Sequence, residues 1–280
     1  GVGIYASSNT GGPYALEVGS CNVTDFQKNG TVFASSAMTV DVHDCTITGK
    51  GATGVTAQNG IQISSGAGGT ITNCAVSGTF YTGMSTAATG QLFFGGSSVT
   101  VIGGSVTNCQ NGTYFYDTNG SMTGTSTNTA ISGGLGAWAV SAYNSSLSMM
   151  PGRHDVTEGD MPPRPTAQPM DDGTGDLSQS PGTGVLSGLS VTVTGGCITG
   201  SGAVNTEGLD FSSAGGGLTA TATGIEISNC HWGIWAGGPG TSVNAHHNAI
   251  TSNTIGYEGL ATGTHLAEKN WWGNLGGPGV

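Results

Sequence analysis

Positive charge is nearly absent from this sequence: Lys and Arg together number 5 in 280 residues, against 16 Asp and Glu, for a formal net charge of −11. The five cations, Lys28, Lys50, Arg153, Arg164 and Lys269, are scattered, so no basic stripe can neutralise phosphates and no nucleic-acid partner is expected. Long hydrophobic runs are missing too. No apolar stretch approaches the roughly 18 residues that cross a bilayer, and no charged-then-apolar leader opens the chain. Helix-forming composition is equally thin. Leu and Glu are few, and windows free of Gly rarely exceed about ten residues, so almost no α-helix is expected. At 8% charged residues the chain fits neither a charged helical bundle nor a highly charged disordered segment. The absence of any Cys-x-x-Cys pair argues against a zinc site.

What the sequence has is glycine, 53 residues of it, set between short alternating apolar runs, and that combination reads as a folded all-β chain. One motif recurs: a small or polar residue, then Asn, Asp or a small residue, then Cys, then a stretch leading to Gly. It reads GSCNVTD, VHDCTITG, ITNCAVSG, VTNCQNG, TGGCITG and ISNCHWG around Cys21, Cys45, Cys74, Cys109, Cys197 and Cys230, at intervals of 24, 29, 35, 88 and 33 residues. All but the longest interval match one turn of a solenoid, roughly 20 to 35 residues. A cysteine-free copy, HHNAITSN, follows at Asn248.

Each copy is preceded by a strand with period-two alternation, as in MTVDVHD, SVTVIGG, LSVTVTGG and LTATATGIEIS. Val40, Val42, Val99, Val101, Val191, Val193, Ile225 and Ile227 then point into the coil, and Asp41, Thr100, Thr192 and Glu226 point out. A second, downstream strand reads GVTAQNGIQISS, GTYFYD, GLDFSS and WGIWAGG. Stacked coils of this kind make a right-handed parallel β-helix of about eight to ten coils, each burying its neighbour's faces. Residues 1–280 read as a single β-helix domain. Residues 145–183 interrupt it with an inserted loop, partly disordered by composition, that contains MPPRPTAQPM. Within that loop DDGTGD places Asp171, Asp172 and Asp176 at calcium-loop spacing, the only cofactor signal in the chain.

Asp44, Asn73, Asn108 and Asn229 precede cysteines at a tight bend, with Asn248 as the counterpart in the cysteine-free copy. Asn and Asp tolerate the left-handed backbone, and stacked amides can bond coil to coil. The six cysteines read as buried free thiols in phase with Val23, Ile47 and Val76. Disulfides are the alternative for an even count in a secreted chain. A coil spacing of about 4.8 Å fits their Cα range, whereas parallel side-chain vectors fit their dihedral poorly.

The segment THLAEKNWWGNLGGPG, with NAITSNTIGYEG before it, resembles the closing coils of bacterial right-handed parallel β-helix repeat proteins. Surface adhesins, autotransporter passengers and very large cell-surface proteins are among them, and polysaccharide lyases share the fold. The resemblance covers about the last 50 residues, the rest only through repeat style. It implies a fold and a secreted or cell-surface location; it does not transfer a function. Trp271 and Trp272 read as closing an end of the coil stack before Gly276, Gly277 and Pro278 turn away. Carbohydrate stacking is the alternative for these two and for Trp232 and Trp235.

Catalytic signals are weak. Outward acids are few (Asp25, Asp41, Asp117, Asp210, Glu226), and the best cluster is Asp41, His43 and Asp44, where Asp41 and His43 share an outward face. On a strand, His246 and His247 point to opposite faces and cannot chelate together. The reading that follows is an extracellular structural or adhesive module of a larger surface or fibre-forming protein rather than an enzyme. Its partners are adjacent domains or like subunits stacked end to end, because the opening GVGIYASS and the closing GGPGV carry no cap. A polysaccharide-active lyase or glycosidase is the first alternative. An ice-binding solenoid is the second, prompted by outward Thr100, Thr192, Thr219 and Thr221.

Overall fold

The alternating runs do become strands. In a computed structural model that describes residues 1–8, 11–83, 87–117, 122–133, 138–144, 188–214, 217–260 and 262–273, all of them pair in parallel. They build three sheets, here called A, B and C, of 9, 9 and 8 strands. The chain visits them in that order coil after coil, from Val2–Ser7 (A), Tyr14–Gly19 (B) and Asn22–Phe26 (C) to Ile255–Gly259 (A) and His265–Leu266 (B). The fold is a parallel β-solenoid, and the described residues contain no helix. Each coil has three strands rather than the expected two. From Ser105–Thr107 onward the strands of sheet C span 3 residues each, too short for alternation to register in the sequence. The stacking passes the long interruption intact: Thr123–Thr127 pairs with Leu189–Thr194, and Trp138–Asn144 with Glu207–Ser213. The expected loop at 145–183, with Asp171, Asp172 and Asp176, lies outside the described residues, as do Gly276, Gly277 and Pro278.

Inward rows from all three sheets run along the stack. Sheet B supplies Val40, Val42, Val99, Val101, Val191 and Val193, none more than 4% exposed, and sheet A supplies Phe33, Ile63, Phe93, Phe115 and Phe211. Sheet C supplies a single aliphatic row of Ile47, Val76, Val106, Ile131, Ile198, Ile227 and Ile250. Opposite that row, the second position of nearly every sheet A strand is glycine, with Ala139 the one exception among the paired strands. The reason is space. A Cβ on Gly60 would sit 2.3 Å from Val76 Cγ1 and 2.5 Å from the Gly90 carbonyl oxygen, and one on Gly208 would sit 2.5 Å from both Ile227 Cγ2 and the Gly233 oxygen. Bare backbone in sheet A is what lets the branched row of sheet C pack directly against it.

The left-handed residues of the recurring motif fall at two corners, not one. Between sheets B and C, Ser20, Asp44, Asn73, Gly103, Asn128, Gly195, Gly224, His247 and Lys269 all have φ between 51° and 67°. Their amides donate along the stack, as in Asp44 N to Thr72 O (3.0 Å) and Asn73 N to Ile102 O (2.9 Å). Asn108 (φ 50°) and Asn229 (φ 57°) belong to the other corner, between C and A. The single ladder expected from the motif is therefore two ladders on different edges of the coil. The same five letters of motif fit both because both edges need the same backbone.

Candidate functional site

The residue after the left-handed position at the B–C corner turns its side chain inward, and there the stack changes chemistry along its length. In the first coils this residue is Cys21, Cys45 and Cys74; in the last it is Asn248 and Asn270. The thiols reach backbone carbonyls at sulfur distances, Cys45 Sγ to Val18 O at 3.4 Å and Cys74 Sγ to Val42 O at 3.5 Å. The amides reach the corresponding carbonyls at full strength: Asn248 Nδ2 donates to Ala222 O at 2.9 Å and Asn270 Nδ2 to Ala245 O at 2.9 Å. Asn248 Oδ1 also accepts from Ile225 N at 3.0 Å, and Asn270 Oδ1 accepts from Asn248 N at 2.9 Å and Asn248 Nδ2 at 3.0 Å. Asn248 is thus an interior residue equivalent to the cysteines and not a bend residue; His247 takes the bend.

All six cysteines are free. Cys45, Cys74, Cys109 and Cys230 are buried, Cys21 is half-buried and Cys197 is exposed, which corrects its placement among the interior thiols. In TGGCITG the corner takes Gly195 and Gly196, so Cys197 starts the strand one residue late and faces out beside Glu226, leaving Ile198 to point in. Burial pushes the Cys74 and Cys230 thiols up to about 11 and raises those of Cys45 and Cys109. Such thiols stay protonated and are poor nucleophiles and poor metal ligands.

Of the expected Asp41–His43–Asp44 cluster, the structure joins His43 to Asp44 and to a residue that no local motif singles out. His43 Nδ1 meets Asp44 Oδ2 at 3.0 Å and Nε2 meets Glu17 Oε1 of the preceding coil at 3.1 Å. Asp41 acts on the ring only through its charge. The hydrogen bonds to Asp44 and Glu17 raise the imidazole above its ordinary value. Both ring nitrogens are therefore occupied, and the cluster works as a coil-to-coil clamp. Lys50 pairs with Asp25 at 3.5 Å and does not approach Asp41. His246 and His247 do not diverge as expected: the strand ends at His246 and the left-handed His247 brings their ring centroids to 5.1 Å. Among the described residues no three His, Cys, Asp or Glu side chains converge to hold a metal ion.

Sheet A is buried on both faces from Asn29–Ala34 to Trp232–Gly237, and this changes the reading of several outward residues. Its outer side holds Leu92, Tyr114 and Trp138 with Phe94, Tyr116 and Tyr143 packed on them. Asp117 and Asp210, expected on the surface, are 0% and 1% exposed. Asp117 Oδ2 accepts from Met122 N at 3.0 Å, and Asp210 accepts from Ser141 Oγ at 2.9 Å and Ser212 Oγ at 3.2 Å. Trp232 and Trp235 are 8% and 5% exposed, and Trp232 Nε1 donates to Glu258 Oε2. Trp272 packs half-buried against the core of the last coil, 2.7 Å from where a Cβ on Gly256 would stand, while Trp271 is 49% exposed and adds a backbone bridge to Ala249. Among the described residues no helix is long and apolar enough to cross a membrane.

At the other end, Ile4, Ala6, Leu16, Val18, Cys21 and Val23 are only half-buried, whereas Phe33, Val40, Val42 and Ile47 of the next coil are at most 2% exposed. Among the described residues, the strands Val2–Ser7, Tyr14–Gly19 and Asn22–Phe26 each lack a partner on their outer edge. A depression of about 390 Å³ opens beside them, lined by Ala6, Ser7, Tyr14, Ala15, Leu16 and Met38 among others and free of carboxylates, histidines and cations. No protein-family model matches the chain, and no curated protein or solved structure does either.

Proposed function

We propose that the chain is an extracellular structural or adhesive module whose first coil is continued end to end by another solenoid segment, an adjacent domain or a like subunit. The half-exposed aliphatic cross-section of that coil carries the reading, because it sits on three unpaired parallel strand edges. Unpaired edges of an apolar coil template further parallel pairing, and burying such a section removes aliphatic surface from water at about 25 cal/mol per Å². The interior thiols, the doubly engaged His43 and the hydrogen-bonded Asp210 are all accounted for by holding coils together. Light scattering on the full chain at rising concentration in moderate salt tests the reading, since salt screens the net charge of −11 that opposes stacking. Association is expected, and Leu16→Asp, which places a charge on the half-buried section, should abolish it without unfolding the later coils.

A further inference from the structure

The outer face of sheet B is a two-dimensional array of hydroxyls. From Gly68–Thr72 to Thr241–His246 six successive strands pair without a register shift. Their central outward row is Thr70, Thr100, Thr125, Thr192 and Thr221, followed by Asn244. The rows two residues to either side are again Ser or Thr, apart from Gly68, Ile102 and His246. Strand spacing repeats the array about every 4.8 Å across the sheet, and the pleat repeats it about every 6.7 Å along each strand. No Asp, Glu, Lys or Arg occupies these rows; the central row meets carboxylates only in the first two coils, at Glu17 and Asp41. No Phe, Tyr or Trp occupies them.

We infer that this face binds ice. An array periodic in two directions is complementary to a surface that is itself periodic in two directions, which an irregular globular surface or a disordered polymer is not. Charged mineral surfaces need charged side chains, and crystalline glycans are gripped through aromatic rings, neither of which the array holds. Ice presents neutral donors and acceptors at two repeats close to those of this sheet. Threonine answers both, since its hydroxyl donates and accepts while its methyl cages adjoining water, and as a β-branched residue in a strand it is stiff at χ1. The rigid stack orders the rows before contact, so little entropy is lost on binding. The test uses the full chain, measuring thermal hysteresis and partition into a slowly growing ice front, with Thr125→Lys at the centre of the array and Thr107→Lys on the outer side of sheet C as a control. Hysteresis is expected for the native chain, with a drop of about tenfold for Thr125→Lys, as when a rigid, preorganised contact surface is broken. The Thr107→Lys control should match the native chain. A folded chain without hysteresis, a Thr125→Lys variant that retains it, or capture by crystalline cellulose or chitin in place of ice would overturn the inference.

Discussion

The two ends of this solenoid are closed by different chemistry. The first coil offers half-buried Ile4, Leu16, Val18 and Val23 around a corner of thiols, whose contacts to carbonyls run from 3.2 to 3.5 Å. The last coils finish with Tyr257, whose hydroxyl meets His265 Nδ1 at 2.6 Å, with half-buried Trp272, and with the Asn248–Asn270 amide pair. Both ends keep the same left-handed backbone at the B–C corner, at Ser20 and Asp44 in the first coils and at His247 and Lys269 in the last. The lesson is that this corner position requires no particular side chain, being Gly104, Thr129, Gly196 and Ile225 in the middle coils, and that a thiol or amide placed there can address the neighbouring coil's carbonyl. A thiol does this weakly and an amide strongly. The amide-bonded end is held more strongly within its own coils, although Ile255–Gly259 and His265–Leu266 are edge strands too.

The comparison breaks most visibly at Asn248. Replacing it with Ala leaves Ile225 N and Ala222 O without their partners inside the corner, and loss of about 3 kcal/mol is expected in urea unfolding, since each buried orphan costs about 1–3 kcal/mol. Trp272→Ala should come next. Removing a half-buried indole is expected to cost about 2 kcal/mol, below the 3–5 of a fully buried aromatic, and to raise hydrogen exchange around Ile250 and Gly256. Cys74→Ala sharpens the contrast from the other side: with only weak sulfur contacts to lose, it should cost about 1 kcal/mol. Native alkylation should label Cys197 first and Cys21 second, and leave Cys45, Cys74, Cys109 and Cys230 slow, because burial holds their thiols protonated.

The smallest effect belongs to His43. Its folded value is raised by Asp44 and Glu17, so the clamp is complete below the ordinary 6.5 and fades as pH rises through the raised value. His43→Gln should therefore lower the melting temperature at pH 5 more than at pH 9, and high salt should shrink the difference because the pair is open to solvent.

Sheet B was legible from the start. From Met38–His43 to Thr241–His246 its strands span 5 or 6 residues with one face buried, so Val40, Val42, Val191 and Val193 announce themselves by alternation. Sheet C was not, because 3 residues carry no period. The two corners merged into one motif because a left-handed Asn before Cys serves either edge; only counting forward to the next inward residue separates Asn73 from Asn108. Sheet A misled in a different way. Burial on both faces hid Asp117 and Asp210, and the recurring Asn-Gly, Thr-Gly and Glu-Gly at its strand starts (Gly60, Gly90, Gly208) was the available signal for the backbone track under sheet C. Glu17 escaped notice as a partner of His43 because the two are 26 residues apart and meet only through coil register.

The end-to-end account is tested most directly by hydrogen exchange on the full chain at two concentrations. At high dilution the amides of Val2–Ser7 and Tyr14–Gly19 should exchange far faster than those around Asn248, and at high concentration and salt they should become protected while the Asn248 region does not change. A chain that is monomeric throughout, with its first coil as protected at dilution as its last, would contradict it.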